Sequence, residues 1–168
     1  MSCFIMLAPV FAFLNYEFMK KIITIVILCL SSTHLFAEPP DSAKFVTNYA
    51  EKVRPFIEEK MSAMLWSSGV GKETADAFIN DQAIGMAKCH LYSIEIFPES
   101  VKMAQINSVK SGDSLLESSN KSNAALSKLI ESGEISEAAI AEIVQKMNER
   151  LQGCSTRMMS KLQNKYKF

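Results

Sequence analysis

A cysteine beside a histidine, as in "GMAKCHL" at residues 85–91, admits three chemistries: covalent haem attachment, soft-metal ligation, or half of a disulfide. Covalent haem attachment requires two cysteines followed by histidine, as C-x-x-C-H, and Met86 and Ala87 precede Cys89 where the first cysteine would fall. A metal site has more in its favour. Met86 and His90 stand four apart and Met61 and Met64 three apart, which puts each pair on one helix face, and thioethers with imidazole suit copper in an exported protein. Against that, methionine is a common core filler, and a lone histidine serves well as an interior or boundary residue.

The disulfide reading depends on compartment, and the compartment is written at the N-terminus. Residues 19–37 open with Met19, the positive pair Lys20 and Lys21 and an apolar run from Ile22 to Leu30, and end at Ala37 before Glu-Pro-Pro. This is the three-part pattern of a secretory signal peptide, with an apolar run well short of the ~20 residues a membrane-spanning helix requires. Leu35 is large for its place near the cleavage bond, and Leu28 before Cys29 argues against a lipoprotein. Residues 1–18 are apolar and precede a complete signal, so they read as an upstream extension from an early start; the competing account is an uncleaved anchor made of both apolar segments. The expected mature domain is 38–168, periplasmic or secreted, with no stable membrane span after cleavage.

That mature segment has 131 residues (168 less 37), enough for one domain with a real core. It carries 16 basic and 17 acidic residues, a net charge of −1 that argues against nucleic acid as the main partner. Cys3 and Cys29 depart with the leader. Cys89 and Cys154 remain as an even pair in a chain bound for an oxidising compartment, which favours a disulfide between them.

For the two thiols to meet, both must face a shared seam. From Ser136, a plausible N-cap after Gly133, apolar residues recur at Ile140, Val144, Met147, Leu151, Cys154 and Met158. An earlier helix opening near Lys72 places Ala75, Ile79, Ala83, Met86 and Cys89 broadly on one face before Pro98 stops it. Gly85 and Gly153 would let the two backbones approach as closely as a disulfide demands. Upstream, Asp41 can cap a helix whose stripe runs Phe45, Tyr49, Val53, Phe56, Ile57, Met61, Met64, Leu65, with Pro55 kinking or dividing it and "SSGVG" at 67–71 ending it. The serine-rich stretch after Glu99 is one long polar helix or two with a break at Gly112. No strand pattern and no internal repeat are visible. The expected fold is all-α: a single-domain bundle of four or five helices stapled by one disulfide.

Catalytic signatures are lacking. The chain has no Gly-rich phosphate loop, G-x-S-x-G, C-x-x-C or H-E-x-x-H, and His90 is the only histidine of the mature segment. Ser118 and Lys121 share the S-x-x-K spacing of penicillin-recognising enzymes without the companion motifs, and Ser118 reads as a surface residue. Whether the protein is an enzyme is left open, with a non-enzyme favoured, and no cofactor is implied. Lys146, Arg150, Arg157, Lys161 and Lys165 fall at intervals of four or seven, a basic stripe that could meet an acidic partner or an anionic membrane surface; the plainer reading is a solvated face complementing the helix dipole. By elimination the sequence points to an exported helical binding or interaction protein whose partner is another protein. The alternative is a bundle that carries an apolar small molecule or a metal such as copper, with residues such as Phe56, Met61, Trp66 and Met86 lining its interior.

Overall fold

The computed structural model describes residues 40–167. The expected signal segment 19–37 and the upstream residues 1–18 lie outside the described residues. Within them the chain forms five helices and no strand: α1 (Pro40–Ser67), α2 (Lys72–Ile94), α3 (Glu99–Ser111), α4 (Leu115–Glu131) and α5 (Glu137–Tyr166). The all-α bundle expected from periodicity is the observed fold.

Local signals explain most helix ends. Pro40, not a capping Asp41, stands first in α1, a place where its missing N–H costs nothing. Pro55 does not divide α1. Its ring removes the bond to the Glu51 carbonyl, and both residues sit on the exposed side, where water can take that carbonyl. Between α3 and α4 the backbone breaks at Gly112, whose φ of 96° is left-handed. The Gly112 N–H donates to the Val109 carbonyl and the Asp113 N–H to that of Ser108, the paired bonds of a Schellman motif. Ser114 then caps α4 in a reciprocal capping box with Glu117, and Ser136 caps α5 by accepting from the Ala139 N–H.

The helices pack as a chain of neighbours: α5 against α2, α2 against α1, α1 against α3, and α3 against α4. Flanked on two sides, α2 is apolar around much of its girth, and small Ala75, Ala83 and Ala87 let both neighbours approach. The core is built from Phe45, Val53, Ile57 and Leu65 of α1, Phe78, Ile79 and Ile94 of α2, and Val109 of α3, with Leu162 closing it from α5. Two α1 side chains finish the C-terminal end of α3. Asn48 donates to the carbonyls of Val109 and Lys110 at 3.0 and 3.2 Å, and Lys52 donates to that of Gly112 at 2.8 Å. A cation there also meets the negative end of the helix dipole.

Three apolar positions of the expected seams are exposed. Phe56 is 62% and Met64 53% exposed, because α3 stops level with Lys52 and does not cover the rest of that side of α1. Val144 is exposed because the first turns of α5 project past the end of α2. Contacts between the two helices fix that register: Cys154 meets Cys89, Met158 meets Gly85 and Tyr166 meets Phe78, an antiparallel pairing in which residues before about 149 have no α2 residue opposite them.

Candidate functional site

Cys89 and Cys154 form the disulfide, with an S–S distance of 2.02 Å and Cα atoms 5.5 Å apart. Cys89 is buried and Cys154 half-buried. Of the two glycines expected to permit this approach, Gly85 does so: a Cβ added there would stand 2.2 Å from the Met158 sulfur. Gly153 has a different role. Nothing of α2 lies near its missing side chain, and the nearest atom is Nη1 of Arg157 at 3.6 Å.

His90 turns from the disulfide toward α1 and α3. Its ring stacks on Tyr49 at 4.7 Å between centroids and near Phe45 at 6.3 Å. The Gln105 amide nitrogen lies 2.8 Å from His90 Nε2 and donates to it, which places the ring proton on Nδ1. Burial among these rings pushes the imidazole pKa down to about 4, so it is neutral at ordinary pH. The same burial raises the Tyr49 phenol. A buried neutral imidazole with a satisfied nitrogen is a packed core group.

The metal set suggested by spacing divides in two. Met86 lies one turn before His90 in α2 and packs against the core. Met61 and Met64 line a separate pocket of about 220 Å³ with Phe78, Met159 and Gln163. Phe78 precedes His90 by twelve residues of α2, roughly 18 Å along the axis, so the four residues do not converge. Cys89, with its sulfur in the disulfide, offers no thiolate. Among the described residues no three His, Cys, Asp or Glu side chains cluster as metal ligands. The third thioether of the α1–α5 pocket, Met159, was not singled out by spacing, because it comes from a different helix.

Ser118 corrects a sequence expectation. It is buried, 1% exposed, and its hydroxyl donates to the Gln105 carbonyl of α3 at 3.2 Å. One turn on, Ser122 donates to the Val101 carbonyl at 3.4 Å. The serine-rich face of α4 therefore packs on α3, since a small side chain with a donor can lie directly on a neighbouring backbone. Lys121 pairs with Asp113, so Ser118 and Lys121 have separate surroundings.

The basic residues of α5 also separate. Lys146, Arg150 and Arg157 line an open groove of about 320 Å³ against Tyr92 and Ile96, with Glu149 and Gly153 completing it. The Arg150 guanidinium stands 5.2 Å from the centre of the Tyr92 ring. Lys161 is exposed outside the groove, and Lys165 pairs with Asp81 of α2 at 2.5 Å. Intervals of four and seven advance around a 3.6-residue helix, and by Lys165 the row has turned from the groove to the α2 contact. There the Tyr166 hydroxyl donates to the same Asp81 carboxylate at 2.8 Å. Hydrogen bonding from Lys165, reinforced by Tyr166, holds the Asp81 carboxyl below the usual carboxylate range. Tyr92 was missed as a groove wall, although its place one turn after Cys89 puts it beside any partner that Cys154 brings in. No protein family, curated protein or solved structure matches this chain.

Proposed function

We propose that this chain is an exported helical binding protein that works by contact with another protein. The observation that carries the reading is the outward half of α1 beyond α3, where Phe56 and Trp66 are 62% and 60% exposed and Met64 stands at the edge. Large aromatic groups left in water at the end of an otherwise buried stripe supply the anchors on which protein interfaces rest. The Cys89–Cys154 disulfide fits an oxidising compartment. Photo-crosslinking residues placed at Phe56 and Trp66 in the native host test this, with Ser127 of α4 as an exposed control. A single protein species captured from α1 and not from Ser127, and released by Phe56→Ser, supports the reading. Failure to capture any protein from either position sinks it.

A carrier is the second reading, favoured by the pocket in which Met61, Met64 and Met159 meet. Thioethers from two helices around one opening suit a soft metal or a flexible apolar ligand. Native mass spectrometry of the exported protein, followed by Cu(I) titration against a competing chelator, separates the two: a retained ligand lost in Met159→Ala supports the carrier, and no retained ligand with no Cu(I) binding ends it.

A further inference from the structure

The α2–α5 groove concentrates positive charge on a chain whose overall charge is balanced. Lys146, Arg150 and Arg157 line it with Glu149, and with Glu142 paired to Lys146 the local excess is one positive charge at neutral pH, whereas the whole sequence sums to zero. Lys146 is paired with Glu142 at 2.5 Å, and Glu149 accepts from Gln145 at 2.9 Å. Neither guanidinium is ion-paired among the described residues; Arg150 lies over Tyr92, and Arg157 extends past the open floor at Gly153. Two guanidiniums with free donor edges beside a half-exposed phenol form a surface built for a planar anion.

This surface is held rigid. Tyr92 sits one turn after Cys89, while Arg150 and Arg157 sit one turn either side of Cys154, so the staple fixes the positions of all three backbones. A preorganised site loses little freedom on binding. Spacing then selects the ligand. At 1.5 Å per residue, Lys146 and Arg150 stand about 6 Å apart along the axis, and Arg150 and Arg157 about 10 Å. An extended peptide repeats its same-side residues about every 7 Å, so carboxylates at alternate positions match the first separation; the second falls about 3.5 Å from the nearest repeat, within the reach of the long Arg157 side chain.

We propose that the groove between α2 and α5 binds an extended acidic segment of the partner protein, with Arg150 and Arg157 taking its carboxylates and Tyr92 and Ile96 supporting the chain between them. This rests on the protein-binding reading and adds the chemistry of the partner. The groove runs between two helices, which suits a threaded chain better than a flat membrane.

Fluorescence anisotropy on the purified oxidised protein tests the proposal, with a labelled alternating Glu-Ser peptide, its Gln-Ser counterpart, oligothymidylate and phosphatidylglycerol vesicles as probes. The Glu-Ser peptide is expected to bind about tenfold tighter than the Gln-Ser one, the gain coming from charge-assisted contacts. Arg150→Gln and Arg157→Gln should each weaken it about fivefold or more, and Lys128→Ala on α4 should leave it unchanged. Gly153→Ile fills the floor without altering charge and should weaken binding similarly; circular dichroism and intact mass of the oxidised chain confirm that it folds. Equal binding of the two peptides overturns the proposal, as does equal loss in Lys128→Ala. So does binding of the oligonucleotide or the vesicles, lost in the arginine variants, with none of the acidic peptide. Crosslinking separates the two levels: a partner still captured from Phe56 with unchanged yield in Arg150→Gln/Arg157→Gln removes the groove and leaves the binding reading standing, whereas no partner at all removes the reading.

Discussion

Acidification offers a direct test of the His90 environment. In the unfolded chain the imidazole titrates near 6.5; in the fold, burial against Tyr49 and Phe45 holds it at about 4. Between these values the unfolded state binds more protons than the native one, so unfolding free energy falls as pH falls, and levels off below the folded value. For one group the loss is about 2 kcal/mol at pH 5 relative to pH 7.5, and about 3 kcal/mol at the lower limit. Few other groups act in this window. Asp81, Asp113, Glu117 and Glu142 all have pKa values lowered by hydrogen-bonding partners, so the stability they add is present above the ordinary carboxylate range and is lost only at lower pH. Tyr49, Tyr166 and Lys165 are shifted upward and act at alkaline pH. Urea unfolding followed by circular dichroism, with the disulfide intact, should therefore lose stability steadily from pH 7 to 4.5. His90→Phe, which keeps an aromatic ring in the stack, should flatten that slope whatever its effect at pH 7. A wild-type profile flat over this range, or an unchanged slope in His90→Phe, would refute the burial argument.

Replacing both Cys89 and Cys154 by serine opens a crosslink spanning 65 residues, and should cost about 4 kcal/mol in urea unfolding on the chain-entropy account; a loss under 1 kcal/mol would mean that the unfolded chain is already constrained. Gly85→Ala drives a methyl into the Met158 side chain and should destabilise by about 1–3 kcal/mol, whereas in Met158→Ala the same change should cost much less, a coupling read by a double-mutant cycle. Ser118→Val places extra bulk where α4 lies on the Gln105 carbonyl and should cost about 1–3 kcal/mol by thermal denaturation, while Ser127→Val on the exposed side stays within about 0.5 kcal/mol. Ser114→Ala removes the acceptor for the Glu117 N–H and half of the capping box, and should cost about 1 kcal/mol, seen first as fraying of α4 in hydrogen exchange.

Where the signal was local, the sequence determined the outcome. Apolar residues at helical intervals, Ser136 as a cap and Lys72 as an opening are properties of neighbours within a turn or two, and each stands where periodicity and turn chemistry put it, while Gly112 proves to be a break where the sequence left one long helix or two open. The disulfide was legible for a related reason, because the two thiols of the expected mature segment lie on helical seams and allow a single pairing. Only the tertiary structure decided which side of each helix finds a neighbour, and for how long. Phe56 and Met64 continue the stripe of Phe45 and Ile57, yet they stand in water because α3 ends first; Ser118 is polar, yet buried because α4 lies on α3 through its serines. The basic row of α5 is one pattern in the chain but two environments in the fold, a groove at Arg150 and Arg157 and an ion pair at Lys165. Helix length, register and the drift of a 3.6-residue turn set these differences, and they depend on partners dozens of residues away that no local window contains.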